Sequence, residues 1–298
     1  MKSHFKIHLL MILCAVLVSG SFPVGAAISR DLDPAALTLI RFALASLLFA
    51  PIVWYRCGLA VSPSSFLRYS VISAVLVIFF WCMFLSLRYT SALNTSAIFT
   101  LVPSFSGIYA LILNKERLGK ARLVALLLGV TGALWIIFKG DLKLFTSLAW
   151  NKGDLIFLAG CLVMGLYTPL VQKLHHGEPM VKMAFWVTLS GTLWLLLPGG
   201  TKLMALNLSD IHIEVWAGIV YLAVFSTIIT FFLTQYCTLF IGPTRAMAYS
   251  YLYPGLVVLI DLVFKGVWPG LRILPGIAIV LIAMLVVQSM AKEKPDKL

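Results

Sequence analysis

Arg41 stands about seven residues into a long apolar run, where a charge is costly unless it is paired, wetted or able to snorkel. One reading gives its guanidinium a bidentate grip on a substrate carboxylate or phosphate. The other has it snorkel to the outer interface or pair with a helix end. Asp261 lies near the end of a later run, with Lys265 four residues on. That spacing makes a salt bridge on one helix face; the alternative is a titratable carboxylate that couples transport to a proton. Glu116, between Lys115 and Arg117, reads as a helix-turn anchor ahead of any chemistry.

Softer polar groups fall into stripes. Ser96, Thr100, Ser104 and Gly107 recur at spacings of four, four and three, and with Asn94 they mark one face of a helix. Ser226, Thr230 and Thr234 recur every four residues in another run, followed by Gln235. Such hydroxyls also bond back to their own helix or join neighbours, so one stripe is not a site, but two facing stripes favour a lined cavity. Pro103 and Pro254 each remove a backbone donor and loosen a helix beside such a cavity. Tyr249, Tyr251 and Tyr253 precede Pro254, and with Tyr167 and Phe22 they form aromatic walls suited to a ring-bearing or amphipathic substrate. Tyrosines also pack between helices and at headgroups, and that reading stands for about half of them.

Enzyme signatures are absent from the sequence: there is no HExxH, GxSxG, phosphate-binding loop or clustered carboxylate pair. The five cysteines are dispersed without a CxxC and read as packing residues. His175-His176 reads as a solvated turn and not a metal site. No cofactor or metal is expected.

The elements that position these groups follow from composition. The chain has 298 residues, 61% hydrophobic and 11% charged, with mean hydropathy +1.01. A soluble domain could not hide that much apolar surface, so the expected class is an all-α polytopic membrane protein. The net charge of +12 lies mostly between apolar runs and reads as membrane orientation, not nucleic-acid binding. On a ruler of about 20 residues per span, ten spans are expected near 7–28, 34–54, 69–88, 92–113, 120–138, 153–173, 180–199, 215–238, 243–264 and 272–291. The first mimics a signal peptide, with Lys2, Lys6 and an apolar run, but its place in the repeat below favours retention. Asp33-Pro34 and Glu178-Pro179 suit helix starts, and Gly199-Gly200 and Lys139-Gly140 suit helix ends.

The chain repeats itself. A shift of 145 aligns Gly20 with Gly165, Phe22 with Tyr167 and Asp33-Pro34 with Glu178-Pro179; a shift of 151 aligns Pro103 with Pro254 and Gly119 with Gly270. The change of offset falls in a loop. Five spans per half is an odd number, so the second half enters the membrane from the other side: ten transmembrane helices in two inverted repeats. With both termini inside, 14 Lys and Arg lie on cytoplasmic segments and 8 on outer ones, which favours N-in/C-in. The expected units are a first five-helix repeat over 1–140, an outer loop over 141–152, a second repeat over 153–291 and a basic cytoplasmic tail over 292–298.

The run GSFPVGAAISRDLDPAALTLIRFALASLLFAP resembles the first two helices of an EamA-type repeat of the drug/metabolite transporter superfamily. LRYTSALNTSAIFTLVPSFSGIYALILNKERLGKARLVALLLGVTGALWII resembles its third-helix end, fourth and fifth helices, with Pro103 and Glu116-Arg117-Leu118 at the pattern's positions. GDLIFLAGCLVMGLY and the stretch Gly242 to Val287 resemble the second copy. Two positions depart from the pattern: Ser19 replaces a common tryptophan, and Val267 stands where a second glutamate is expected. The resemblance implies movement of small metabolites, often export of amino acids or related compounds, by a bacterial inner-membrane protein. The expectation is therefore a secondary transporter, an exporter, working by alternating access at a midplane cavity lined by the second halves of helices 3–4 and 8–9. Its partners would be a small-molecule substrate, the lipid bilayer and a proton or other coupling ion, in a monomer or homodimer. The rival classes are an intramembrane enzyme or lipid-handling bundle, which would need a clustered nucleophile and base, and a sensor, which would need a soluble signalling domain.

Overall fold

The computed structural model describes residues 2–115, 119–141, 150–207 and 211–289. All its described elements are helical. Ten helices are long and apolar enough to cross a membrane: α1 Lys2–Ile28, α2 Pro34–Cys57, α3 Pro63–Ser86, α4 Ala92–Asn114 and α5 Lys120–Ile137 in the first half. The second half has α6 Lys152–Leu174, α7 Met180–Met204, α8 Ile213–Ile241, α9 Pro243–Lys265 and α10 Leu271–Ser289.

Short side chains start several of them. Asp33 accepts from the Ala35 amide at 2.9 Å with Pro34 in the first turn. Ser91 and Asn151 do the same at α4 and α6, accepting from Asn94 and Asp154 at 3.1 and 2.8 Å. Each satisfies an amide that the first turn leaves without a helical partner.

Three local expectations are corrected. Gly199-Gly200 does not end its span, because α7 continues to Met204. A Cβ on Gly199 would lie 2.8 Å from the Ala35 carbonyl oxygen, so this glycine serves close approach to α2. Pro179 is the residue before α7 and not its first member, and Glu178 turns to α3 instead of capping. Pro103 does not sit within a continuous helix: α4 is interrupted after Phe99 and restarts at Val102, with Pro103 in the new first turn. Pro254 plays the same part in α9, where a 3₁₀ turn over Ala248–Leu252 gives way to Tyr253–Lys265. A proline lacks the amide hydrogen that a first turn does not use, so both prolines restart a helix. Lys139 and Gly140, both at positive φ (54° and 66°), end α5 as expected. The Glu116-Arg117-Leu118 turn, most of the 141–152 loop and the 292–298 tail lie outside the described residues.

The two halves meet most extensively along two seams, α2 against α7 and α5 against α10, and α3 also packs on α6 and α7. In the first, Ser46 and Thr192 hydroxyls meet at 3.2 Å and Phe49 sits edge-on to Phe185. In the second, a Cβ on Gly132 would lie 2.9 Å from the Gly276 carbonyl oxygen, and one on Gly276 3.0 Å from that of Gly132. In lipid, helices gain little from hydrophobicity and associate by tight packing, which small residues allow. The other six helices are left to surround the centre.

Candidate substrate cavity

A small cavity of about 50 Å³ lies at that centre, lined by α1, α3 and α4 from the first half and α6, α8 and α9 from the second. These are three matched repeat pairs. Phe22, Phe99 and Tyr253 pack as a trio with ring centroids 5.2 to 6.1 Å apart. Phe80 stacks on Phe231 at 5.9 Å, and Tyr167 tilts against the same Phe231 at 6.4 Å. Its hydroxyl-bearing lining residues are Ser21, Tyr167, Ser226, Thr230, Thr234 and Tyr253, and among the described residues no Asp, Glu, Lys, Arg or His lines it.

Each pair bends where the cavity sits. α6 breaks at Gly165–Leu166, so Tyr167 opens its second segment. A Cβ on Gly165 would lie 2.6 Å from the Phe105 Cβ, so the bare glycine lets α4 approach there. α8 widens into a π-turn over Val224–Ile229. A π-turn shifts the ladder to i→i+5 and leaves carbonyls without their usual donors.

Arg41 meets that turn. It is fully buried, and its Nε donates to Thr227 Oγ1 at 2.7 Å while Nη2 donates to the Ser226 carbonyl at 2.6 Å. Its guanidinium covers the Phe80 ring at 4.0 Å, a cation–π contact. Thr227 passes its own proton to the Leu222 carbonyl at 2.8 Å. The charge is thus held by a released carbonyl, a hydroxyl and a ring face instead of a carboxylate. Arg41 does not line the cavity; Phe80, beneath it, does.

Of the other candidates, Tyr167, Thr230, Thr234 and Tyr253 line the cavity. Gln235 lies beside the Tyr167 hydroxyl, fully buried, and Pro254 follows Tyr253 at the start of its helical segment. Thr234 Oγ1 shares a 3.4 Å contact with Cys14 Sγ. Ser96 and Thr100 are buried and donate to their own helix, to Leu93 and Ala97 carbonyls at 2.7 Å each. Ser104 sits by Tyr251, away from the cavity lining. Tyr249 hydrogen-bonds His8 across the two halves. Asn94 and Asp261 line a separate hollow of about 280 Å³ with Lys139, and Asp261 is paired with Lys265 at 2.8 Å.

Several residues escaped the sequence reading. Phe79, Phe80, Phe99 and Phe231 build much of the wall; the Phe79-Phe80 and Phe231-Phe232 doublets are their visible signals. Thr227 carried none, because a π-turn has no spacing signature. Asp154, 2% exposed, accepts from Thr90 Oγ1 at 2.6 Å and ties α6 to the α3–α4 turn. On the α6–α7 turn, Glu178 accepts from Tyr69 Oη at 3.0 Å and the His176 amide at 2.8 Å, with Arg68 at 3.7 Å. Partial burial pushes its carboxyl up, but the amides of Glu178 and His176, the Tyr69 hydroxyl and the Arg68 charge outweigh that and hold it below the usual carboxylate value.

The EamA-like transporter family matches residues 5–138 and again residues 151–289. The chain belongs to the EamA-like transporter family. This EamA-like protein is 28% identical over 254 residues to an uncharacterized transporter of Archaeoglobus fulgidus, covering 84% of this chain and 86% of that one. It is 22% identical over 262 residues to the uncharacterized transporter YyaM of Bacillus subtilis, covering 87% and 86%. One solved crystal structure shares the fold with TM-score 0.69 at 14% identity, over 95% of this chain and 96% of that one. The family match and these relatives make the EamA-like chain a multi-pass membrane transporter.

Proposed function

We propose that this EamA-like protein is a secondary transporter that exports a small organic metabolite, such as an amino acid or related compound, across a bacterial inner membrane with both termini inside. One observation carries the reading. The helix interruptions of both halves converge on a single cavity, and its volume of about 50 Å³ is far below the roughly 300 Å³ at which ligand pockets begin. A site that small must widen to admit its substrate, and the broken segments of α4, α6, α8 and α9 are where it gives. Tyr167, Thr230, Thr234 and Tyr253 then touch substrate, Gln235 supports them, and the restarts at Pro103 and Pro254 allow the wall to move. Arg41 acts on the π-turn that presents Ser226 and Thr230. The Asp261–Lys265 pair borders the second hollow and is the candidate coupling group.

Proteoliposomes containing the purified protein test this with a broad panel of labelled amino acids and metabolites. Protein-dependent, saturable movement is expected, and none from any solute sinks the reading. An imposed pH gradient should drive accumulation in wild type and not in Asp261→Asn; indifference of the wild type to the gradient removes proton coupling.

A further inference from the structure

Tyr167 lines the cavity, and Gln235, outside the lining, lies beside its hydroxyl; both carry polar atoms with unmet hydrogen bonds. Tyr167 Oη and both amide atoms of Gln235, Oε1 and Nε2, are buried with no hydrogen-bond partner in the protein. The side chains are 1% and 0% exposed, and the hydroxyl lies beside the amide. Neighbouring hydroxyls are served: Thr234 contacts Cys14 at 3.4 Å and Thr238 donates to the Thr234 carbonyl at 2.7 Å. Buried polar groups are nearly always paired in folded proteins, so a cluster of unpaired ones at a cavity wall calls for an explanation.

The inventory of these atoms specifies what would satisfy them. A glutamine amide offers N–H donors and a carbonyl acceptor, and a phenol offers one donor and its lone pairs. A head group that both donates and accepts, such as an amide, matches this pair. Net charge is disfavoured, because among the described residues no Asp, Glu, Lys, Arg or His lines the cavity and an unpaired charge in a dry site is costly. Arg41, outside the lining, has Nε and Nη2 committed to Thr227 and Ser226 and Nη1 without a partner among the described residues. The rest of the wall, Phe22, Phe79, Phe99 and Tyr253, suits an aromatic or similarly bulky apolar body.

We infer that the Tyr167–Gln235 pair reads an uncharged amide-type head group on an apolar, ring-bearing body, so that the cargo is a neutral amino-acid derivative or similar amphipathic amide. This rests on the transport reading and narrows it to one substrate class. A site built to hydrogen-bond a polar group discriminates strongly against analogues that lack it, because its own buried groups are then left unpaired.

The test uses one body in four charge states: N-acetyl-phenylalaninamide (neutral), N-acetyl-phenylalanine (anion), phenylalaninamide (cation) and phenylalanine (zwitterion). Uptake into proteoliposomes and ligand-induced thermal shift of the full-length protein in detergent are read in parallel. The neutral compound is expected to be preferred at least tenfold by both. Gln235→Leu should reduce that preference tenfold or more, and Tyr167→Phe, which keeps the ring and the packing, by a smaller factor. Equal handling of all four compounds, preference for a charged one, or an equal loss for all four in Tyr167→Phe overturns the inference, and the Tyr167→Phe result stands even if Gln235→Leu does not fold. A neutral-selective thermal shift without uptake of any solute keeps the site and removes the transport reading. Uptake of other solutes with no neutral preference does the reverse.

Discussion

α3 and α8 occupy matched places in the two halves, yet α3 is regular from Pro63 to Ser86 while α8 opens into a π-turn at Val224–Ile229. The partners of that turn differ in the same way. At the repeat offset of 151, Ser226 and Thr227 correspond to Val75 and Leu76, and at the offset of 145 Arg41 corresponds to Trp186. Arg41 places Nε on the Thr227 hydroxyl and Nη2 on the Ser226 carbonyl of the opened α8, while its buried Nη1 has no partner among the described residues. Trp186 packs edge-on to Phe66 of α3, and its indole N–H has no partner. The symmetric features, namely seams and proline restarts, build the bundle. The asymmetric ones gather around one side of the cavity, where a single α8 face presents hydroxyls. Duplication can thus supply a frame, and substitutions in one copy can supply the polar side of a binding site.

The largest effect should come from the shared frame. Gly132→Val places a side chain where a Cβ already lies within 3.0 Å of the Gly276 carbonyl oxygen and Val280 Cγ1. Overpacking of this kind costs about 3 kcal/mol, which lowers the melting temperature in detergent by roughly 10 °C. Gly255→Ala is the control, because Ile277 Cγ2 at 3.5 Å is the one atom that its Cβ would meet. Equal melting of the two variants would mean that the α5–α10 seam is not close-packed.

The second effect separates the counterparts Arg41 and Trp186. Arg41→Met removes charged hydrogen bonds worth about 1.5–3 kcal/mol each and leaves the Ser226 carbonyl bare. Uptake should fall at least tenfold for neutral and anionic solutes alike. Trp186→Phe, which discards an unpaired N–H and part of a packed ring, should change uptake less than twofold. Loss confined to anions would make Arg41 a substrate grip and not a support for the π-turn.

The smallest effect is pH-linked and lies at the α6–α7 turn. The Glu178 carboxyl is held below its ordinary value, so the folded state binds its proton less readily than the unfolded chain. Its contribution is therefore present above the unfolded carboxylate pKa and fades as pH falls through the lower folded value. Because the group is partly exposed, the effect is modest. Between pH 7 and pH 3 the wild type should lose slightly more thermal stability than Glu178→Gln; a matching loss would show that the carboxylate adds nothing.

Much of the frame was legible because it depends on composition and period. Apolar length alone placed ten spans, and the repeat offsets matched prolines that do the same work in α4 and α9. The Ser226–Thr234 stripe was readable because four-residue spacing keeps a helix face even beside a π-turn. What escaped depends on neighbours distant in sequence. Gly199-Gly200 looks like a stop until α2 is known to pass within contact of it. Ser96 and Thr100 look like a lining until their protons are seen to return to α4. Arg41 looked isolated because its acceptors lie some 185 residues away, on a carbonyl that only a local change of helix type releases.

The two seams have a mechanical consequence. A door hung on two pins keeps one freedom, rotation about the line through them. The α2–α7 and α5–α10 helices supply no residue to the cavity lining, and they pack closely at Gly199 against Ala35 and at Gly132 against Gly276. On the transport proposal, halves hinged in this way can tilt but cannot separate. Widening the gap on one face of the membrane then narrows it on the other, and a continuous leak is prevented by geometry without a dedicated lock.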